Sequence, residues 1–172
     1  MRYNMKKLLL GLAFITFVCL PLQARSGRWI YNAGYKVASG TSAVLTLQNP
    51  SDSTNDARVL SVEVYLESSA GDVTIARDAV SITAGTGLVE NRTSIYHGSD
   101  VMPLPELTAK SGATVTGATS LPVARPIPAA GSIIIAYDDI ELVPGEDFAV
   151  SVSADSTDSI TVIVYWEEFP AE

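Results

Sequence analysis

Alternation of apolar and other residues at every second position is the sequence feature that most limits what this chain can fold into. Between residues 58 and 66, one face of an extended chain carries Leu60, Val62, Val64 and Leu66, and the other carries Ser61, Glu63 and Tyr65. A period of two is typical of a β-strand that is buried on one side. We therefore predict a half-buried strand over this segment.

Similar patterns recur along the chain and predict further strands at Ser42–Leu47, Asp72–Ile82 and Ser132–Tyr137. Near the C-terminus, two alternating segments flank the polar residues Asp155 to Asp158, which predicts a hairpin with a turn there. Turn residues such as Asn49-Pro50 and Pro144-Gly145 separate the segments. Beyond residue 24 no apolar stripe of helical period is visible. The pattern predicts a single all-β domain, an antiparallel β-sandwich of jelly-roll or immunoglobulin-like type.

Residues 98–131 differ in composition from the rest, since they combine five prolines with many small and hydroxyl-bearing residues. Proline lacks the amide hydrogen that a central strand needs. We therefore predict a loop or protruding hairpin that meets a partner, with a short edge strand between Ala113 and Thr119 as a further expectation.

The first 24 residues have the order of a secretory signal peptide. Arg2, Lys6 and Lys7 precede an uncharged segment from Leu8 to Leu20, and a small residue, Ala24, follows. The apolar segment is shorter than the ~20 residues that a membrane-spanning helix needs. We predict cleavage after Ala24, a β-sandwich domain over residues 25–172, and a secreted, periplasmic or cell-surface location.

Composition narrows the possible functions. The single cysteine, Cys19, lies in the predicted signal peptide, so disulfides and thiolate chemistry are not expected in the mature chain. Three of the 11 basic residues and none of the 19 acidic ones precede residue 25, which leaves eight against 19 and a net charge of −11. Nucleic acid and anionic membranes are therefore disfavoured as partners.

The residues that could carry chemistry form no recognisable catalytic set. His97 is the only histidine, and the neighbouring Ser99 and Asp100 do not by themselves make a triad. Acidic pairs occur at Asp138-Asp139, Glu146-Asp147 and Glu167-Glu168, but neighbouring strand residues point to opposite faces, so we interpret them as solubilising. We predict no enzyme, no catalytic or metal residues and no cofactor, with calcium at Asp138, Asp139 and Glu141 as a weaker alternative.

Aromatic residues concentrate near both ends of the predicted mature chain and would suit either a core or a sugar-stacking platform: Trp29, Tyr31, Tyr35, Tyr165, Trp166 and Phe169. In the last predicted strand, Ile163 and Tyr165 lie opposite Val162, Val164 and Trp166. A strand with two apolar faces is either covered on both sides or lies at a subunit interface.

The segment Leu142–Val150, followed by Ile160 to Glu167, resembles the closing hairpin of small β-sandwich proteins of poorly defined function encoded by phages and bacteria. In those proteins a proline-glycine-acid turn precedes the strand and a tryptophan-glutamate pair ends the chain. The resemblance implies a structural role in a virion or on a surface, and it implies no catalytic residues. The predicted signal peptide departs from this pattern and favours the surface role.

These features lead to two hypotheses. The first is an exported, non-enzymatic protein that acts by protein–protein contact, as a subunit of a surface layer, filament, matrix or virion-like assembly or as a homo-oligomer. One form of it has Arg25 to Val37 leave its own domain and add a strand to a neighbour. The alternative is a calcium-assisted carbohydrate-binding or adhesion module with a glycan as ligand.

Overall fold

The computed structural model describes residues 29–79, 81–93, 104–121, 125–137 and 139–171, and the predicted signal peptide and His97 lie outside these ranges. The described residues are all-β, and they include no helix long and apolar enough to cross a membrane. The strands are β1 (Trp29–Gln48), β2 (Asn55–Leu66), β3 (Gly71–Arg77), β4 (Ser81–Thr83), β5 (Thr86–Gly87), β6 (Asn91–Thr93), β7 (Thr108–Ser111), β8 (Thr114–Thr116), β9 (Thr119–Ser120), β10 (Arg125–Ile127), β11 (Ser132–Ala136), β12 (Glu141–Leu142) and β13 (Asp147–Pro170).

Two long antiparallel strands, β1 and β13, organise the sheet. The first part of β1 pairs with the last part of β13, from Trp29↔Glu168 to Val37↔Ile160, and this region continues into β6 on one side and β2, β11 and β12 on the other. We call it half-sheet A. The remaining parts of the two strands pair from Ser42↔Ser153 to Gln48↔Asp147, with β7 and β5 on one side and β3, β9 and β10 on the other. We call it half-sheet B.

Both half-sheets contribute one face to a single hydrophobic cluster. Half-sheet A supplies Tyr31 and Trp166, which are fully buried and stack with ring centroids 5.8 Å apart. Half-sheet B supplies Leu45, Leu47 and Phe148, which are equally buried and belong to the same cluster. The alternation seen in the sequence therefore reflects burial of one side of a continuous antiparallel sheet.

The two half-sheets meet at a corner where β1 and β13 both lose regular pairing. The register shifts between Val37 and Ser42 in β1, opposite the segment between Ser153 and Ile160 in β13. Asp158 lies at this corner and is only 5% exposed. Its carboxylate accepts hydrogen bonds of 2.8–3.1 Å from the amides and hydroxyls of Ser68 and Ser69, in the connection from β2 to β3. The carboxylate thus joins the corner to the loop that links the two half-sheets.

The prediction of a C-terminal hairpin is wrong. Residues 147–170 form one strand, and this strand pairs with β1 both before and after the polar segment. Ser153 pairs with Ser42, and Asp158 pairs with Gly40. The intervening residues of β13 outnumber those of β1, so they bulge outward, and residues 155–157 are exposed. Their polarity reflects this exposed corner and not a chain reversal.

The predicted strand at residues 58–66 is confirmed as part of β2, with one change of face. Val62, Val64 and Leu66 are buried as expected, but Leu60 is only partly buried and Val59 is fully buried instead. Tyr165 pairs with Ser61, and the next residue of β13, Trp166, pairs with Val59. Leu60 is therefore the extra residue of a β-bulge, which shifts the alternation by one position.

Residues 104–121 and 125–131 contain four short strands, β7 to β10, where their composition predicted a loop or protruding hairpin. Strand β7 extends half-sheet B by pairing with β1, and its neighbour Leu107 is buried. Strand β8 forms within the predicted segment Ala113–Thr119 and pairs with β4 in a separate two-stranded sheet. Backbone amides before β7 are held by the buried carboxylate of Glu168. Prolines Pro126 and Pro128 lie in or beside β10, at the margin of the sheet where a missing amide is tolerated.

The hydrogen-bonded carboxylate of Asp158 should make the fold less stable in acid than at neutral pH. Burial opposes ionisation, but the hydrogen bonds from Ser69 and Ser68 outweigh it and lower the pKa of Asp158 below its ordinary value of 3.8. A carboxyl whose folded pKa is lowered stabilises the fold above its unfolded pKa and loses that contribution as pH falls toward the folded value. We expect Asp158→Asn to be less stable than the wild type at pH 7 and to approach it between about pH 4 and pH 2.

The measurement is the urea midpoint of unfolding as a function of pH. Asp155→Asn serves as the matched control, since Asp155 lies at the same corner with an exposed side chain. A gap between Asp158→Asn and the wild type that stays constant down to pH 2 would contradict the proposed anchoring.

Candidate interaction surface

Strand β11 is an open edge of half-sheet A. It pairs with β2 on one side, and no described strand pairs with its other side. At the two ends of this ladder, the Leu66 amide donates to the Gly131 carbonyl and the Tyr137 amide donates to the Leu60 carbonyl, both at 2.9 Å. Antiparallel pairing alternates, so the amides and carbonyls of Ser132, Ile134 and Ala136 point away from β2. These groups form an unpaired backbone edge among the described residues.

The open edge carries no charge. Residues 132–136 read Ser-Ile-Ile-Ile-Ala, and Ile134 is 62% exposed. Natural proteins usually protect edge strands with charged residues, proline or very short length. Strand β10 follows that rule with Arg125 and Pro126, whereas β11 is the longest edge strand in the described part of the chain and has neither device.

The outer face of half-sheet A continues from this edge across three strands. Ile134 of β11 lies opposite Glu63 of β2, which lies opposite Ile163 of β13. Tyr65 and Tyr165 lie on the same face, next to this row. Tyr65 is 41% exposed, and Ile163 and Tyr165 are partly exposed. We define the outer patch as Ile134, Tyr65, Ile163 and Tyr165 around Glu63.

Glu63 is the acidic group inside the outer patch, and it is paired with a tyrosine. The Tyr65 hydroxyl donates a 3.0 Å hydrogen bond to Glu63 Oε2. This hydrogen bond and the negative charge of Glu63 raise the pKa of Tyr65 above its ordinary value. The patch therefore presents a neutral phenol hydrogen-bonded to its carboxylate, with apolar side chains on either side.

The two faces of the last strand behave as the sequence predicted. Val162, Val164 and Trp166 are fully buried, while Ile163 and Tyr165 face outward and remain partly exposed. The aromatic residues near the two ends of the chain come together, because Tyr31 and Trp166 are register partners in the core. The Tyr35 hydroxyl donates to the Val44 carbonyl, and Trp29 packs against the core. Full burial makes Tyr31 and Trp166 unsuitable for a sugar-stacking platform.

Three acidic residues that we interpreted as solubilising are instead buried and hydrogen-bonded. Glu168 Oε1 accepts from Trp166 Nε1 at 2.9 Å, and the same carboxylate accepts from the Glu106 and Leu107 amides. On the opposite face, Glu167 pairs with Arg58 at 3.3 Å, which agrees with the predicted divergence of neighbouring acids. Asp147 accepts from the Ala79 amide, and burial raises the pKa of Asp147.

The weaker calcium prediction gains no support from the residues that the structure describes. Glu141 forms an ion pair with Arg58 at 3.3 Å, and Asp139 lines a groove together with Arg77, Arg125 and Tyr137. Asp138, the third predicted ligand, lies outside the described residues. The described ranges contain no group of three acidic, histidine or cysteine residues that would hold a metal ion.

The N-terminal strand completes the sheet of its own chain in this structure. Residues 29–37 lie inside the sheet, paired with β13 on one side and, at Ile30 to Asn32, with β6 on the other. Tyr31 and Ala33 from this segment are fully buried. A strand donated to a neighbour would have to be replaced by the same segment of another copy, and strand donation stays a prediction.

The chain has no recognised family among those compared. No protein-family model matches it, and no curated protein matches it.

Glu168 provides a test of the buried acid network. Glu168→Ala leaves the indole of Trp166 and the Glu106 and Leu107 amides without their acceptor. Two of these three donors, the Trp166 indole and the Leu107 amide, make buried hydrogen bonds. An unsatisfied buried donor costs about 1–3 kcal/mol, so we expect the free energy of unfolding to fall by at least about 2 kcal/mol. The measurement is urea unfolding followed by the fluorescence of the tryptophans. Glu141→Ala, at a half-exposed carboxylate, is the control and should cost less than about 1 kcal/mol. Equal losses for the two variants would contradict a structural role for Glu168.

Proposed function

We propose that this protein is a non-enzymatic structural protein that is exported and acts by protein–protein contact, as a subunit of a surface layer, filament, matrix or virion-like assembly. The observation that carries the proposal is the open, uncharged edge of β11 and its continuation into the outer patch. The sequence of the C-terminal segment resembles that of phage and bacterial β-sandwich proteins and points the same way, but residues 147–170 form one strand and not the closing hairpin of those proteins. Export is inferred from the signal-peptide pattern of residues 1–24.

We further propose that half-sheets A and B face each other as a β-sandwich. The support for this arrangement is that Trp166 from one half-sheet and Phe148 from the other belong to one buried cluster. The corner at Asp158, where β1 and β13 pass from one half-sheet to the other, is typical of strands that switch between packed sheets. In this arrangement the outer patch faces away from the core and remains available to a partner.

The β11 edge leaves backbone amide and carbonyl groups unpaired, and this favours contact with another strand. Backbone amide and carbonyl groups that point outward from a sheet edge accept another strand readily. Burying Ile134 on contact contributes further, because a fully buried isoleucine side chain is worth about 1.5–3 kcal/mol relative to an exposed one. An uncharged edge adds no desolvation cost for ionised groups. These three properties favour protein–protein contact at this position.

A second candidate function, a carbohydrate-binding or adhesion module, has one observation in its favour. A groove of about 290 Å³ is lined by Arg125, Tyr137 and Asp139, among other residues. An aromatic ring beside charged groups suits a sugar, which offers apolar ring faces and hydroxyls. A glycan array with and without calcium discriminates: specific binding that Tyr137→Ala abolishes would favour this function, and no binding in either condition would remove it.

A charged substitution in the β11 edge tests the proposed contact surface. In the wild-type protein we expect light scattering and electron microscopy to show assembly that increases with concentration. Ile134→Lys introduces a charge that must be desolvated on contact, so we expect about tenfold or more weaker association. Val89→Lys is the matched control, because Val89 is 81% exposed and lies outside the strands. A wild-type protein that remains monomeric at every concentration would contradict the proposed function. Equal assembly by both variants would exclude β11 as the contact.

A further inference from the structure

We infer that the partner of the β11 edge is a second copy of this chain, with the two β11 strands paired antiparallel across a twofold axis at Ile134. This inference rests on the proposed function and specifies its partner and register. The two half-sheets A would then join into one continuous sheet. Three observations support self-pairing: the hydrogen-bonding pattern of the edge, its lack of charge and the composition of the outer patch.

The hydrogen-bonding pattern of the edge is self-complementary. Ser132, Ile134 and Ala136 each direct an amide and a carbonyl outward, as derived above. When two copies meet antiparallel with Ile134 opposite Ile134, Ser132 of each copy faces Ala136 of the other. All three outward residues of each copy then become hydrogen-bonded pairs. A shift by two residues would leave one residue of each strand without an outward partner, so the register centred on Ile134 pairs the most groups.

Charge favours a copy of the same chain at this edge. The protein carries a formal net charge of −8, and two such molecules repel each other over most of their surfaces. A basic partner would gain most at an acidic surface, whereas residues 132–136 present no charge for it to recognise. Contact between two acidic copies is least opposed where neither brings a charge. Strand β11 meets that condition along its whole length.

Among the residues that the structure describes, the acidic one nearest the twofold axis on the outer face is also far enough away. Glu63 lies one strand inward from Ile134, so three strand spacings of about 4.8 Å, roughly 14 Å, separate the two copies of Glu63. This distance exceeds the Debye length of about 8–10 Å at moderate ionic strength. The two Ile134 side chains would lie side by side at the axis, and the Tyr65 of each copy lies diagonally next to its own Ile134.

The register is tested by complementary charges at position 134. Ile134→Lys and Ile134→Glu each place like charges opposite one another across the axis, and each variant alone should associate about tenfold or more weakly than the wild type. An equimolar mixture of the two places Lys opposite Glu, so association should recover by about tenfold relative to either variant alone. The measurement is light scattering or sedimentation of the full chain at several concentrations. The control is the pair Val89→Lys and Val89→Glu, for which neither the single variants nor their mixture should change association.

The outcomes separate this inference from the proposed function. Recovery in the mixture supports self-pairing at Ile134. If both position-134 variants weaken assembly and their mixture does not recover, the edge contacts a different surface; the inference is overturned while the proposed function stands. If the wild type assembles and neither variant weakens it, the inference is again overturned. A wild type that never assembles overturns both.

Discussion

The fold depends on the pairing of β1 with β13, which bring the beginning and the end of the described chain together. This ladder runs through both half-sheets, from Trp29↔Glu168 to Gln48↔Asp147. Every other strand of the large sheet attaches directly or indirectly to one of these two strands. Because the partners are separated by 99 to 139 positions along the chain, the ladder closes a long loop, and its entropic cost must be offset by burial around it. The stacked pair Tyr31 and Trp166 lies within this ladder.

Buried acidic residues add further connections between strands and loops to those that the β1–β13 ladder makes. Asp158 ties the corner to the loop between β2 and β3, and Glu168 ties the end of β13 to the segment before β7. Glu106 in that segment accepts hydrogen bonds from Ser53 and Thr54 in the β1–β2 connection, and the bond from Ser53 in particular lowers the pKa of Glu106. A chain with few basic residues thus uses backbone amides and hydroxyls as partners for its carboxylates. Asp147, Asp158 and Glu168 are buried in this way.

Much of the secondary structure was predictable because strand alternation is local. The strand over Ser132–Tyr137 is confirmed as β11, and the two faces of the last strand were assigned correctly. The bulge at Leu60 and the corner at residues 154–157 were not predictable, because both depend on the register of a partner strand that is distant in sequence. The proline and glycine content of residues 98–131 likewise did not indicate β7, because β7 is fixed by pairing with β1 and not by its own composition.

The candidate surface was only partly visible in the sequence. The apolar outer face of β13 suggested an interface, but nothing local marks β11 as an edge strand, because edge position is a property of the whole sheet. The buried roles of Glu167 and Glu168 were hidden for a similar reason, as their partners Arg58 and Leu107 lie elsewhere in the chain. The absence of charge from residues 132–136 is a local signal that agrees with the proposed contact.

Amide hydrogen exchange in β11 as a function of protein concentration tests the proposed edge-to-edge contact most directly. Ile133 and Ile135 bond to β2 within the molecule, so their amides should be protected at every concentration. The amides of Ser132, Ile134 and Ala136 should exchange rapidly in dilute solution and become protected as concentration rises. Protection that alternates in this way and grows with concentration is the predicted result. Exchange at these three amides that is independent of concentration would contradict the proposed edge-to-edge contact.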